Sequence, residues 1–97
     1  IVDFNKVAQD NITKDLKDIE PLEAKWNSFG WDVHRIDGHN MNEIIKVLQL
    51  PAHAVKPRVI IADTIKGKGV SFMEGQTAWH GVAPSKEDNE NGVKEVA

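Results

Sequence analysis

A nearly continuous apolar run at residues 58–64 limits the possible folds of this chain more than any other feature. It reads Arg-Val-Ile-Ile-Ala-Asp-Thr and comes directly after Pro57. A strand that is covered on one face alternates apolar and polar residues, whereas a strand covered on both faces is apolar almost throughout. The run therefore predicts a buried strand of a parallel sheet in an α/β fold.

Two shorter strand patterns precede this run. Residues 1–4, Ile-Val-Asp-Phe, predict a strand that ends at the polar Asn5. Residues 31–36 predict a second strand, closed by the turn signal Asp37-Gly38-His39. With the apolar run, the chain has three predicted strands.

Two helical patterns separate the three strands. The first begins at Pro21 and ends at Gly30, a residue suited to a left-handed cap, and its apolar face consists of Leu22, Trp26 and Phe29. The second follows a cap at Asn40 with Glu43 three residues later, and Leu50-Pro51 stops it. Its apolar residues at helical spacing are Met41, Ile44, Ile45 and Leu48.

The order of these elements predicts three parallel strands in βαβαβ order, which is half of a doubly wound α/β domain. We assign residues 1–86 to this partial domain and residues 87–97 to a polar, acidic tail, either a short helix or a frayed end. Residues 5–11 predict a loop, and the alternating charges of residues 14–18 predict a solvated surface.

Composition argues against several partners and locations. The chain has 97 residues, a formal charge of -3 and a pI near 5.7, which gives no attraction to nucleic acid or anionic membranes. No apolar run approaches the roughly 20 residues of a membrane-spanning helix. The absence of cysteine is compatible with the cytoplasmic location that we expect. Because the chain starts at Ile1 with a strand pattern, we expect it to be a section of a longer protein.

Asn5 is a candidate cation ligand because it stands where the first strand ends. Its side-chain oxygen and the backbone carbonyl of Val7 are the kind of hard ligands that magnesium takes, one or two from protein, beside the phosphates of a ligand. The alternative interpretation is an asparagine that only ends a strand and begins a turn.

Two other places could carry chemistry. Residues 66–69, Lys-Gly-Lys-Gly, could bind a phosphate but lack the spacing of a nucleotide-binding loop, so a solvated glycine-rich loop is the alternative. His80, between Trp79 and Gly81, could transfer a proton or polarise a substrate oxygen, or it could be structural. The four histidines show no metal-binding spacing.

Five sequence blocks stand in a fixed order along nearly the whole chain. They are residues 1–7, Glu20-Pro21-Leu22 with Phe29-Gly30-Trp31, Asp37-Gly38-His39, residues 64–73, and Trp79-His80-Gly81 with Ala83-Pro84. Together they resemble the later part of the thiamine-diphosphate-binding, amino-terminal domain of transketolases, most closely the amino-terminal subunit of split transketolases.

The resemblance implies transfer of a two-carbon ketol unit between sugar phosphates, with thiamine diphosphate and Mg²⁺ or Ca²⁺. It implies that Asn5 and the carbonyl of Val7 hold the cation. It further implies that His80 faces the cofactor and the bound substrate, and that Lys66 lies near the cofactor. The partners implied are the remaining transketolase segments or a carboxyl-terminal subunit, in a homodimer or heterotetramer.

Some parts of the family pattern are not in these residues. The upstream Gly-Asp-Gly segment and the pyrimidine-binding domain with its activating glutamate are absent, so we expect the chain to be inactive alone. Asn11 stands where relatives usually have glycine, and Asn40 where aspartate is usual. Two alternatives remain open: a non-catalytic folding or interaction module, and a piece of another thiamine enzyme such as deoxyxylulose-phosphate synthase or a dehydrogenase E1 component.

Overall fold

The computed structural model describes residues 1–9 and 11–97. In chain order, the elements are β1 Val2–Phe4, α1 Thr13–Lys17, α2 Leu22–Ser28, β2 Asp32–Asp37, α3 Met41–Leu48, β3 Arg58–Asp63, a 3₁₀ turn at Thr77–Trp79, and α4 Lys86–Val96. They group into two compact units: Ile1–Phe4 with Ile19–Thr64, and Asn5–Asp18 with Ile65–Ala97.

The first unit is built on a parallel sheet whose strands lie in the order β1-β3-β2. The apolar run forms the central strand, β3, and Ile61 within it has no exposed surface. Phe4 and Asp37 are both paired with Asp63, so all three strands end at one edge of the sheet. This confirms the predicted α/β class and the three parallel strands.

One face of the sheet packs against α2. Phe4, Val59 and Ile61 form the buried cluster, and around it pack Val2, Ile19, Leu22, Trp26, Trp31 and Val33. Gly30 ends the helix at φ 82°, as predicted for a left-handed cap. The prediction was wrong for Phe29, which is 79% exposed, because it lies at the helix C-cap, past the last residue that faces the sheet. Pro21 is the N-cap residue and not the first helical residue.

The start of α3 follows the predicted capping pattern. The side-chain oxygen of Asn40 accepts hydrogen bonds from the backbone N–H groups of Asn42 and Glu43, at 3.1 and 3.3 Å. The carboxylate of Glu43 accepts from the backbone N–H of Asp37 at 2.9 Å, so it fastens the helix to the end of β2. The predicted apolar face only partly points inward, because Val47 is the buried residue of α3 whereas Met41, Ile45 and Leu48 are more than half exposed.

An ion-pair network holds the ends of β2 and β3 together. The guanidinium of Arg35 donates to both carboxylate oxygens of Asp63, at 2.7 and 3.0 Å, and to Glu20 at 2.9 Å. The backbone N–H of Leu22 and then Arg35 lower the pKa of the Glu20 carboxyl, and Asp63 raises the pKa of Arg35. The network therefore joins β2 and the end of β3 to the segment that precedes α2.

Gly38 allows a close approach at the same edge. Its backbone N–H donates to the carbonyl of Asp63 at 2.7 Å, and a Cβ here would lie 2.5 Å from the Thr64 methyl carbon. The backbone N–H of His39 donates to the Asp37 side chain at 2.9 Å, which confirms the predicted turn.

The second unit contains α1 and α4. The charge pattern of residues 14–18 predicts only a solvated surface, and the structure adds that Thr13–Lys17 forms a short helix without buried residues. Of the two alternatives for the carboxyl-terminal tail, the structure has the helix, α4, which begins at a capping box between Ser85 and Asp88. The domain boundary at residue 86 stays a prediction. Within the described part of the chain, no helix combines the length and apolarity needed to cross a membrane.

Candidate functional site

All four predicted site residues lie in the second unit. Asn5 and Val7 belong to its first segment, residues 5–18, and Lys66 and His80 to its second, residues 65–97. Among the hydrogen bonds described for residues 1–9 and 11–97, one joins two of these four residues, Asn5 and Val7. The structure therefore brings together the two predicted cation ligands, and their roles stay predictions.

The loop after β1 has a strained backbone. The side-chain oxygen of Asn5 accepts a hydrogen bond from the backbone N–H of Val7 at 2.9 Å. Between them, Lys6 has φ 63°, and it is the one non-glycine residue with positive φ among the described residues. Side chains disfavour this left-handed region, and strain of this kind concentrates at functional sites. This signal points to the loop independently of any motif.

An antiparallel bridge between Val7 and Ile12 sets the direction of the loop. The bonds that flank it run from Thr13 N–H to the Lys6 carbonyl at 2.9 Å and from Ala8 N–H to the Asn11 carbonyl at 2.7 Å. In a bridge of this kind, the backbone N–H and C=O groups of the two facing residues make no hydrogen bonds to each other. The carbonyl of Val7 is therefore not used by the bridge.

These two oxygens fit a hard cation. The amide oxygen of Asn5 has two lone pairs, and the bond from Val7 N–H uses one. With the Val7 carbonyl, the loop offers two neutral oxygens, which are hard ligands of the kind that magnesium binds beside carboxylates and phosphates. In the described part of the chain, no group of three or more His, Cys, Asp and Glu side chains could hold a metal ion. The negative charge must then come from a ligand or from residues outside this loop.

The glycine-rich loop closes on itself. Gly67 and Gly75 have φ 74° and 68°, and the N–H of Gly75 donates to the Lys66 carbonyl at 2.8 Å. The carboxylate of Glu74 accepts from the Gly69 N–H at 3.0 Å and lies 3.4 Å from the Lys68 ammonium. The Lys68 ammonium and the Gly69 N–H, which could otherwise bind a phosphate, therefore interact with the Glu74 carboxylate of the same loop. This favours the alternative interpretation, a solvated glycine-rich loop in which these two residues do not bind a phosphate.

His80 is exposed, and the residue before it, Trp79, is fixed by contacts with Phe72. The His80 backbone N–H donates to the Thr77 carbonyl at 2.9 Å, and Gly81 follows with φ 73°. The indole N–H of Trp79 donates to the Phe72 carbonyl at 3.1 Å, and the two aromatic rings lie 5.7 Å apart. The imidazole therefore projects from a turn whose preceding residue is fixed, an arrangement suited to a group that contacts a ligand.

The three-stranded parallel sheet with its helices places the chain in the α/β class. The profile of the family described as "Transketolase, thiamine diphosphate binding domain" matches residues 1–96. The chain belongs to this family, which confirms the resemblance that its five blocks indicate.

Individual relatives agree with the family. The 6-deoxy-6-sulfo-D-fructose transketolase subunit SqwG of Clostridium sp. (strain MSTE9) is 43% identical over 97% of this chain. A subunit of the apulose-4-phosphate transketolase of Phocaeicola vulgatus is 37% identical over 100% of the chain, and human transketolase is 29% identical over 99%. The chain spans 34%, 35% and 15% of the lengths of these three relatives.

These relatives are transketolases or transketolase subunits, and they give no support to a non-catalytic module or another thiamine enzyme. They establish a transketolase-type chain with a thiamine-diphosphate-binding domain.

Proposed function

We propose that this chain forms part of a transketolase that transfers a two-carbon ketol unit between sugar phosphates, with thiamine diphosphate and Mg²⁺, or Ca²⁺ in its place. The observation that carries the proposal is the strained loop of Asn5, Lys6 and Val7, directly after the first strand. There the Val7 N–H fixes the Asn5 oxygen, and the neighbouring bridge leaves the Val7 carbonyl out of its ladder. Family membership supports the cofactor, and the chemistry of the two oxygens supports the cation.

The residues of this chain take separate roles in the proposed reaction. Asn5 and Val7 bind the cation through their oxygens, and the half-buried Lys66 contributes a positive charge near the diphosphate. His80 donates a hydrogen bond to the donor sugar oxygen and exchanges a proton with it. Thiamine diphosphate, when bound, supplies the stabilisation of a carbanion that breaking a carbon–carbon bond requires.

The names of two relatives support a proposal for the substrate class. One is named for a sulfonated fructose and the other for apulose 4-phosphate, so each name specifies a sugar with an anionic group. We extend this chemistry to the present chain and propose a ketose donor with a phosphate or sulfonate group.

The proposed enzyme needs further protein. Two relatives are named as subunits, which supports a carboxyl-terminal partner, and the remaining segments must supply the Gly-Asp-Gly aspartate. The assembly is a homodimer if one chain carries both halves and a heterotetramer if two chains do. We expect residues 1–97 alone to be inactive, and we retain the cytoplasmic location as part of the proposal.

A chimera tests the function. Residues 1–97 replace the homologous third of the Phocaeicola apulose-4-phosphate transketolase chain, which is mixed with its partner protein, and ketol transfer is measured. We expect activity with the unaltered graft and a loss of kcat of about 100-fold or more in His80→Ala. His53→Asn, in an exposed loop of the other unit, is the control. An inactive but folded graft, or full activity in His80→Ala, would contradict the proposal.

A further inference from the structure

Helix α4 packs closely against the turn at residues 70–73. Gly92 is the buried residue of this helix. A Cβ at Gly92 would lie 3.6 Å from a methyl carbon of Val70 and 3.7 Å from the Phe72 ring, which is ordinary van der Waals contact. At Gly92 the buried side of α4 thus packs directly against Val70 and Phe72.

A second contact fastens the end of α4 to the same turn. The carboxylate of Glu95 accepts the backbone N–H of Ser71 at 2.5 Å and its hydroxyl at 2.9 Å. Glu95 lies in the last turn of α4, where the helix dipole disfavours a negative charge. A carboxylate at this place therefore has a local cost, which its two hydrogen bonds to Ser71 offset.

The same turn also contacts the histidine loop. Phe72, directly after Ser71, accepts the indole N–H of Trp79 through its carbonyl at 3.1 Å, and its ring packs at 5.7 Å from the Trp79 ring. Trp79 directly precedes His80. An unbroken series of contacts therefore leads from α4 to the backbone of His80, all within one compact unit.

We propose that Glu95 is a positioning residue, which sets the orientation of His80 through Ser71, Phe72 and Trp79. The segment that sequence patterns describe as an acidic tail is then part of the working site. The inference rests on the proposed function in one respect, the role of His80 in the reaction. The positioning itself can be measured without any reaction.

The test follows Trp79 and His80 by NMR in the 97-residue chain. Glu95→Ala removes both acceptors, and we expect solvent exchange of the Trp79 indole hydrogen to rise about tenfold and the His80 ring resonances to shift. The indole signals of Trp26 and Trp31 report on the other unit and should not change. Glu95→Gln keeps one acceptor oxygen and should restore most of the wild-type spectrum.

A control variant on the same helix and a milder variant of the Ser71 contact separate positioning of His80 from a general loss of structure. Glu90→Ala is the control, because Glu90 lies on the same helix with only a 4.0 Å ion pair to Lys86. If Glu95→Ala does not fold, Ser71→Ala removes only the hydroxyl donor and should give the same changes at smaller size. Unchanged Trp79 and His80 signals in a folded variant would overturn the inference, as would equal changes at Trp26, Trp31 and Trp79.

Kinetics in the chimera separate this inference from the proposed function. Glu95→Ala should lower kcat about tenfold with little change in KM, and it should have no further effect when combined with His80→Ala. An equal loss in both backgrounds would overturn positioning through His80. If His80→Ala itself leaves kcat unchanged, the proposed role of His80 is wrong, and the NMR result still decides whether α4 positions the loop.

Discussion

The side-chain oxygen of Asn5 accepts a hydrogen bond from the backbone N–H of Val7 at 2.9 Å, across a Lys6 residue with φ 63°. The bond closes a local turn directly after the first strand, and the neighbouring bridge leaves the Val7 carbonyl out of its ladder. The Asn5 oxygen is thus held by the protein itself. A site shaped in advance loses less conformational entropy when its ligand binds.

The backbone at Lys6 gives the first prediction. Lys6→Ala and Lys6→Gly both remove the side chain, but only glycine adopts positive φ without steric cost. We expect the glycine variant to be more stable than the alanine variant by about 1 kcal/mol in denaturant unfolding.

Lys14, within α1, is the matched control for Lys6. There glycine should be less stable than alanine by about 1 kcal/mol, the opposite sign. Equal stability of the two Lys6 variants would mean that the positive φ carries no strain.

The glycine-rich loop gives the second prediction. A Cβ at Gly67 would lie 2.7 Å from the Met73 carbonyl oxygen, whereas a Cβ at Gly75 meets nothing within 4 Å. Both residues have positive φ, so Gly67→Ala should add a steric clash to the conformational cost that Gly75→Ala also has. Limited trypsin digestion after Lys66 and Lys68 should therefore be faster in Gly67→Ala. Equal digestion rates of the two variants would contradict the close packing of this turn.

The Arg35 network gives the third prediction, on pH. The pKa of Glu20 is lowered from 4.5 by the Leu22 N–H and then by Arg35, so this stabilisation is complete above pH 4.5 and is lost as pH falls through the lower folded value. Arg35→Met should cost about 2 kcal/mol at neutral pH. The difference from wild type should shrink as the pH falls toward about 2.

Thermal unfolding at a series of pH values measures this difference. Lys17→Met, on the exposed helix α1, is the control and should show no difference that depends on acid. A gap between wild type and Arg35→Met that widens toward low pH would contradict the sign of the Glu20 shift.

The core gives the fourth prediction. Ile61 has no exposed surface in the central strand, whereas Ile45 on α3 is 51% exposed. Ile61→Ala should lower the free energy of unfolding by about 3 kcal/mol, because it removes buried methyl groups and leaves a cavity. Ile45→Ala should change the free energy of unfolding by about 0.5 kcal/mol or less. Similar losses in both variants would show that α3 is buried in solution.

The sequence predicts an element correctly where its residue pattern agrees with a rule that depends only on neighbouring residues. The apolar run predicts β3 correctly, and Asn40 predicts the start of α3, because burial and capping are read from neighbouring residues. It fails for Phe29, since helical spacing does not show where a helix axis ends relative to the sheet. Helix α1 is missed because its five residues bury nothing and leave no apolar pattern.

The candidate site shows the same division. Asn5 and His80 are found from strand ends and family blocks, while the left-handed Lys6 has no signal, because lysine is not a residue that favours this conformation. The bonds between Ser71 and Glu95 join residues 24 apart in sequence, and no periodicity predicts such a pair. Contacts of this kind depend on tertiary packing.

The most direct measurement is calorimetric titration of thiamine diphosphate, with and without Mg²⁺, into the chimera and its Asn5 variants. Asn5→Asp keeps an acceptor for the Val7 N–H and adds charge for the cation, and Asn11→Ala removes a nearby asparagine as the control. We predict magnesium-dependent binding that Asn5→Ala weakens about tenfold or more, while Asn5→Asp and Asn11→Ala bind like wild type. Binding that does not depend on magnesium, or wild-type affinity in Asn5→Ala, would contradict a cation site in this loop.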